Sequence, residues 1–287
     1  MAVVESPSSC QLAALHVYPI KSCGGVALNE GLLVETGLEF DRAWMVVDAH
    51  GEMFTQRELP RMALIQPTFK GGELMLRAPG MLALHLRLDT VEAATRVRVW
   101  DDVVKAYDMG ALAAQWFSDF LGRPLRLVRF DPEQQRPADP KWTGELKSES
   151  AFADGFPLLV AGAASLDELN ARLAARGAAA VTMQRFRPNL VLSGLQPFDE
   201  DHLHEILFDS AEGPVRLRLV KPCTRCTIPD VDPRSAVVSH EVGDALAGFR
   251  ADPRMDGGIT FGMNAVVVEG LERSLRVGQT GELRWNF

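Results

Sequence analysis

The segment of this sequence that carries most information about its fold reads Lys221-Pro222-Cys223-Thr224-Arg225-Cys226-Thr227-Ile228-Pro229-Asp230-Val231-Asp232-Pro233. It follows an alternating apolar and charged run at residues 215–220, a pattern typical of a β-strand. The two thiols therefore lie where a strand ends and a proline-rich loop begins, a common place for chemistry. Positive charge at Arg225 and Lys221 favours the thiolate form, which binds soft metals or attacks electrophiles.

The Cys-x-x-Cys spacing alone leaves three interpretations open. A zinc site would need two further ligands, but Cys10 and Cys23 lie far upstream and no paired histidine motif accompanies them. A thioredoxin-like redox pair normally opens a helix, which Pro229 and Pro233 disfavour. The plainest interpretation is that both cysteines are small buried hydrophobic residues.

Composition sets the broad class of the protein. The 287 residues are 47% hydrophobic and 24% charged, as in a soluble globular protein with a sizeable core. The net charge of −8 argues against nucleic-acid binding as the main function. No apolar run is long enough to span a bilayer, and the first ten residues do not have the pattern of a signal peptide. Four cysteines do not form a disulfide framework, so a reduced, cytoplasmic protein is expected.

Two further segments carry residues suited to an anionic ligand. The first, Pro19-Ile20-Lys21-Ser22-Cys23-Gly24-Gly25, follows a predicted strand and can present an ammonium group, a hydroxyl and backbone N–H groups to a phosphate. The second, Arg185-Phe186-Arg187-Pro188-Asn189, precedes another predicted strand, and arginine suits bidentate phosphate binding. Taken singly, each segment is equally compatible with a solvated turn or with surface charge.

The periodicity of the rest of the chain predicts many short strands, an arrangement typical of a barrel or sandwich. These strands are predicted at residues 12–20, 32–35, 42–47, 63–69, 72–77, 82–88, 96–99, 103–107, 125–130 and 156–161.

Three helices and one linker are also predicted. The helix at 111–121 would bury Leu112, Trp116, Phe117 and Phe120 and end at Gly122. A helix at 165–176 would open with a capping box, a Ser-x-x-Glu sequence at residues 165–168. A short amphipathic helix is predicted at 239–249. The polar, proline-containing stretch 131–150 is predicted to be a linker or a mobile loop.

Several motifs together resemble the MOSC superfamily, named after the molybdenum-cofactor sulfurase C-terminal domain, and in particular its amidoxime-reducing branch. They are Pro-Ile-Lys-Ser, Asp-Arg, Phe-Arg-Pro-Asn and Lys-Pro-Cys-Thr-Arg-Cys with its Val-Asp-Pro, and they occur in the family's order. The resemblance implies a mainly β fold with some α: a MOSC-type β-barrel with a smaller N-terminal β subdomain. Residues 1–128 would form the MOSC N-terminal β-barrel-like domain, and residues 129–287 the MOSC domain that binds the molybdenum cofactor.

The resemblance also implies a site. Molybdenum held by molybdopterin (Mo-MPT) would be ligated by Cys226, the second cysteine of the motif. The residues expected to bind the cofactor are Lys21, Ser22, Arg42, Arg187, Asn189, Thr224 and Arg225. Asp230, which with Pro229 replaces a Thr-Thr pair common in the family, is a hypothetical proton donor.

The implied function is a molybdenum-dependent oxidoreductase that reduces small N-hydroxylated compounds such as amidoximes, hydroxylamines and N-hydroxylated bases. The sequence contains neither a Gly-x-Gly-x-x-Gly fingerprint after a strand nor a plant-type iron–sulfur cysteine spacing. Electrons would therefore come from an external electron-transfer protein of the ferredoxin or flavin reductase type. Two alternatives stay open: a non-catalytic carrier of the molybdenum cofactor or of sulfur, and a simple β-barrel partner module with buried thiols.

Overall fold

Short β-strands build most of this protein, and the computed structural model describes residues 7–286. The strands before residue 131 are β1 (Ser9–Val17), β2 (Val26–Leu28), β3 (Glu30–Val34), β4 (Gly37–Leu38), β5 (Trp44–Val47), β6 (Gln66–Lys70), β7 (Glu73–Arg77), β8 (Leu84–Arg87), β9 (Ala94–Val99), β10 (Asp102–Asp108) and β11 (Arg126–Phe130). The later strands are β12 (Leu158–Gly162), β13 (Leu190–Ser193), β14 (Leu203–Ser210), β15 (Gly213–Thr224), β16 (Ala251–Asp252), β17 (Gly258–Glu269), β18 (Ser274–Arg276) and β19 (Thr280–Trp285).

Within the part of the chain that the structure describes, four α-helices accompany the strands: α1 (Gly110–Leu121), α2 (Pro140–Thr143), α3 (Ala163–Ala175) and α4 (Glu241–Ala247). The prediction of a mainly β fold with some α is therefore confirmed. Within residues 7–286, no helix has both the length and the hydropathy needed to cross a membrane.

The central element is a closed barrel of seven strands in the order β12-β13-β1-β19-β14-β15-β17, closed by pairing of β17 with β12. The neighbouring strands run antiparallel except for the parallel pair β12 and β13. Closure leaves these strands without an unpaired edge. Alternating side chains point inward and form the apolar core, which includes Leu12, Leu192, Ile206, Leu217 and Ala265.

Among residues 7–286, three smaller sheets lie outside the barrel: β5-β11-β10-β9, β6-β7-β8 and β18-β3-β4. The first two pack with α1 around a second core that contains Trp44, Leu74, Phe117 and Leu127. The division predicted at residue 128 stays a prediction, but β1 pairs with both β13 and β19, so the barrel uses strands from both predicted domains. Residues 1–6, part of the stretch predicted to lack a signal peptide, and Phe287 lie outside the described residues.

The stretch predicted as a linker, residues 131–150, is anchored to the rest of the protein. Arg136 is buried, and its guanidinium group donates hydrogen bonds to Asp102, to the Ser150 hydroxyl and to the Ala151 carbonyl. An isolated bridge between Pro137 and Glu149 closes the loop. This polar segment is thus a loop that the buried Arg136 holds in place.

Helix α1 ends as predicted, at Gly122 with a left-handed φ of 74°. The predicted apolar face was wrong at Leu112, whose surface is 73% exposed. Ala113 is buried in its place, together with Trp116, Phe117 and Phe120. Leu112 lies about 100° around the helix from Ala113, at the edge of the stripe that faces the core.

The predicted capping box was also wrong. Helix α3 begins at Ala163, so Ser165 lies inside the first turn and is fully buried. Its hydroxyl donates a 2.7 Å hydrogen bond to Glu200, a buried carboxylate that also accepts from the Gly162 N–H at 2.9 Å. The Ser165 hydroxyl thus bonds Glu200, a residue distant in sequence, and does not cap the helix.

The two sides of α1 give a prediction about stability. Phe117→Ala should lower the free energy of unfolding by about 3–5 kcal/mol, because it removes a fully buried ring from the second core. Leu112→Ala is the matched control and should change it by less than about 0.5 kcal/mol. Urea denaturation of both variants measures the difference. Equal destabilisation would show that the assignment of the buried face is wrong.

Candidate functional site

One cavity of about 370 Å³ brings together residues from distant segments of the chain. Of the residues predicted to form the site, those that line it are Lys21, Ser22, Arg42, Arg187, Asn189, Thr224, Arg225 and Cys226. The cavity is also lined by residues that were not predicted, among them Arg57, Trp100, Asp154 and Cys223. The motifs that first suggested an anion site therefore meet in space.

The barrel strands and their neighbours explain this convergence. Lys21 follows β1, and its N–H bonds to the Trp44 carbonyl at the start of β5. Asn189 precedes β13, and its carbonyl accepts from the His16 N–H of β1 at 2.8 Å. Arg225 directly follows β15, and its N–H bonds to the Ile259 carbonyl of β17. Each functional loop is thus fixed by a backbone hydrogen bond to an adjacent strand.

Three residues of the site have left-handed backbone conformations. The φ angles are 66° at Ser22, 48° at Arg42 and 59° at Arg187, and Trp100 at the same cavity has 54°. This region is uncommon for residues other than glycine, and each such residue costs about 1–3 kcal/mol. Such strain concentrates at functional sites because the surrounding structure must hold a side chain in one direction.

Tyr18, the residue directly after β1, holds two of the cations together. The Arg42 and Arg187 guanidinium carbons lie 4.5 and 4.3 Å from the centre of its ring. Cation–π contacts of this kind offset the repulsion between the two like charges. Tyr18 is only 1% exposed, and its hydroxyl has no hydrogen-bond partner among residues 7–286. Desolvation raises the pKa of Tyr18 to about 12, so the hydroxyl stays protonated.

The two arginines are further fixed by polar contacts. Arg42 forms an ion pair with Asp41 and donates to the Asn189 side-chain oxygen at 3.2 Å and to the Arg187 carbonyl at 3.0 Å. Arg187 donates from Nη1 to the Cys23 carbonyl, whereas its Nη2 is buried without a partner among the described residues. Burial and then the neighbouring Arg42 lower the Arg187 pKa to about 10, so Arg187 remains a cation at neutral pH.

Lys21 is buried but already paired. Its ammonium group donates to the Phe152 carbonyl at 2.8 Å and to the Asp154 carboxylate at 2.5 Å. Burial lowers the Lys21 pKa, and the charge of Asp154 opposes that effect. Asp154 is itself 73% exposed and accepts a hydrogen bond from the Trp100 indole at 3.1 Å. An anion that binds Lys21 would share it with Asp154 or displace that carboxylate.

The thiols have unequal surroundings. Cys226 is exposed, whereas Cys223 is half-buried and accepts a hydrogen bond from Arg225 Nη1 at 3.1 Å. Arg225 also donates to the Phe186 carbonyl at 3.0 Å, which fixes its guanidinium group beside Cys223. The predicted contact between a cationic side chain and a thiol of the motif is thus made with Cys223, the first of its two cysteines. Cys226 is left open to the cavity.

The sequence of this chain also matches the models of two known protein domains. Residues 9–124 match the model of the MOSC N-terminal beta barrel domain, and residues 147–284 match that of the MOSC domain. The chain belongs to the MOSC-domain family. This confirms the predicted resemblance and agrees with the closed barrel described above.

Curated relatives of this MOSC protein are amidoxime-reducing components. It is 37% identical to mitochondrial amidoxime-reducing component 1 of Homo sapiens, over 84% of this chain and 73% of that protein. It is 35% identical to mitochondrial amidoxime reducing component 2 of Rattus norvegicus, again over 84% of this chain and 73% of that protein. The crystal structure of the YUAD protein from Bacillus subtilis covers 97% of both chains at 11% identity and a TM-score of 0.43.

Asp230 is the predicted site residue that does not line the cavity. It is buried, and its Oδ1 accepts the Gly243 N–H at 2.9 Å within the first turn of α4. Its Oδ2 lies 3.7 Å from His240 Nδ1. These contacts show that Asp230 fixes α4 against the loop after Cys226. Its role as a proton donor stays a prediction.

The residues of the cavity fit a phosphorylated pterin that carries a metal. Arg187 Nη2 and Arg225 Nε are buried donors without partners among residues 7–286, and such donors normally find an acceptor. Cys226 offers an exposed soft ligand. Within the described residues there is no cluster of three or more His, Cys, Asp or Glu side chains arranged to hold a metal.

Thiol accessibility in the MOSC protein is directly testable. Iodoacetamide at pH 8 should modify Cys226 first, because it is exposed. Cys10 and Cys23 should stay unmodified in the native protein, since burial raises their pKa values to about 11 and about 12. At pH 8 only about one Cys23 thiol in ten thousand is then a thiolate, the reactive form.

Peptide mass spectrometry locates the label, and Cys226→Ser should remove the fast phase. Labelling of Cys10 or Cys23 before Cys226 in folded protein would contradict the geometry.

Proposed function

We propose that this MOSC protein is a molybdenum-cofactor-dependent reductase of small N-hydroxylated compounds and receives its electrons from another protein. The observation that carries the proposal is the meeting of Lys21, Arg42 and Arg187 with the exposed Cys226 in one cavity. The amidoxime-reducing relatives support the same reaction class.

The cations would hold the phosphate of the pterin. Arg42 and Arg187 are fixed side by side on Tyr18, so their positions require little adjustment when an anion binds. A hydrogen bond to a charged group contributes about 1.5–3 kcal/mol, so two or three such contacts retain a cofactor strongly. Ser22, Asn189 and Thr224 would bond the polar edges of the pterin.

Cys226 would be the protein ligand of molybdenum, held by its thiolate. When bound, the cofactor supplies the N–O reduction chemistry, and the protein positions it and sets its electrostatic surroundings. Arg225 keeps positive charge within one residue of that ligand while it contacts Cys223 at 3.1 Å. Arg57 and Trp100, whose side chains stack at 4.6 Å, line the same cavity and would contact an incoming substrate.

We further propose that the protein works in the cytoplasm and that its electron donor is a ferredoxin or a flavin reductase. The sequence carries no dinucleotide fingerprint and no iron–sulfur cysteine spacing. In the site described, the redox centre would be the molybdenum that the Cys226 thiolate ligates. An acidic donor would be favoured near the clustered arginines, although the whole chain is acidic.

The two cysteines of the motif give a prediction about molybdenum content. Cys226→Ser should lose molybdenum while it keeps the fold, because a hydroxyl replaces the soft thiolate ligand. Cys223→Ser is the matched control and should retain most of the metal, since Cys223 bonds Arg225. Metal analysis of both variants from a cofactor-producing host, with circular dichroism to confirm folding, measures the difference. Equal loss from both variants, or loss from neither, would refute the assignment of Cys226.

The source of electrons gives a second prediction. Cofactor-loaded protein should reduce benzamidoxime with reduced viologen, a one-electron donor, and should give no turnover with NADH alone. Cys226→Ala should abolish the viologen-driven reaction. Product formation is followed by chromatography.

Turnover with NADH alone in homogeneous protein would contradict the need for a separate donor. Retention of molybdenum without turnover from any donor would instead favour the carrier alternative.

A further inference from the structure

A second cavity, a groove of about 750 Å³, lies beside the proposed cofactor cavity and is about twice its volume. The groove is lined by the turn at Gly24 and Gly25, by the 3-10 helix Pro60–Leu64 and by the end of β7. The loops at residues 182–187 and 231–234 also line it. Arg187 lines both cavities, so the groove begins where the proposed phosphate site ends.

The groove is positively charged although the chain carries a net charge of −8. Among the residues that the structure describes, its lining contains Arg77, Arg185, Arg187 and Arg234 and no acidic side chain. Arg185 is paired with Asp232 at 3.1 Å. Arg77 and Arg234 form no ion pair with any residue that the structure describes. Unpaired arginines around a concave surface favour an anionic group, and a phosphate matches their fork geometry.

Two residues that line this groove carry buried donors without partners. Tyr18 is 1% exposed, and its hydroxyl has no hydrogen-bond partner among residues 7–286. Arg187 Nη2 is a second buried donor of this kind. Buried polar groups are nearly always hydrogen-bonded, and each orphan costs about 1–3 kcal/mol. The Tyr18 hydroxyl is thus a donor that the described residues leave for a ligand of this groove, whereas Arg187, which lines both cavities, can serve either ligand.

The uncharged part of the lining suits a flat heterocycle. Gln56, Gln66 and Gln184 contribute side-chain amides, each of which can donate and accept hydrogen bonds. Ala63, Leu64, Ala78 and Pro79 add an apolar wall. This combination of amides, apolar surface and arginines is the pattern expected for a ring bearing both nitrogen atoms and a phosphate.

We infer that the groove binds a phosphorylated nitrogen heterocycle, that is, a nucleotide-like ligand, with its phosphate among the arginines and its ring against the amides and the apolar wall. Two sources share this chemistry. The ligand is either a free nucleotide or a nucleotide group joined to the phosphate of the bound pterin through the region of Arg187. The first source does not depend on the proposed function.

The test begins with full-length protein from a host that makes no molybdenum cofactor. Calorimetric titration with AMP, CMP and inorganic phosphate should show saturable binding of at least one nucleotide, tighter than that of phosphate. Arg77→Gln and Arg234→Gln should each weaken nucleotide binding by about tenfold, the loss expected for one charge-assisted contact. Both side chains are exposed, so these variants should fold. Arg96→Gln removes an equally exposed charge outside the groove and should bind like wild type.

A second experiment identifies whether the nucleotide is free or joined to the pterin. Protein from a cofactor-producing host is denatured, and the mass of the released pterin is measured with and without Arg77→Gln. A pterin that carries a nucleotide, with less of it retained by the variant, assigns the groove to the cofactor. Binding of free nucleotide with an unmodified pterin assigns it to a separate ligand.

The inference is overturned if no free nucleotide binds and the released pterin carries none, or if phosphate alone binds as tightly as every nucleotide. Neither outcome touches the role of Cys226, so this inference can fail while the proposed function holds.

Discussion

The contact of Arg42 and Arg187 with the ring of Tyr18 is the interaction on which the site depends. Two guanidinium groups within 4.5 Å of one ring repel each other and lose hydration on burial. The cation–π contacts, the Asp41 ion pair and two backbone carbonyls offset that cost. The result is a pair of fixed cations with one buried donor, Arg187 Nη2, left for a ligand.

The closed barrel makes this arrangement possible. The loops that carry the site follow or precede β1, β13 and β15, which are paired on both sides and cannot shift independently. Ser22, Arg42 and Arg187 are held in left-handed conformations that a mobile loop would relax. A rigid barrel with strained loop residues therefore fixes the directions of the side chains before a cofactor binds.

Much of the site could be predicted from the sequence because its residues stand in short motifs at strand ends. Lys21, Arg42, Arg187 and Cys226 are of the types that bind phosphate or a soft metal, and all of them line one cavity. Tyr18, Asp154 and Trp100 were missed. Their roles come from contacts across the fold, such as the 3.1 Å bond from Trp100 to Asp154, and no local pattern marks them.

The errors have physical causes of the same kind. Ser165 had a local capping partner in the sequence, but the buried Glu200 binds its hydroxyl. Leu112 satisfied the helical period, but it lies at the edge of the buried stripe and is exposed. In each case tertiary contacts override a local rule.

The central claim is that these fixed cations and Cys226 form a site for a molybdenum-bearing, phosphorylated pterin. The most direct measurement is the molar ratio of molybdenum, pterin and protein in wild-type chain purified from a host that makes the cofactor. The account predicts molybdenum and a phosphorylated pterin in equal amounts, approaching one of each per chain. Protein that is fully folded yet free of both, or that holds molybdenum without pterin, would contradict it.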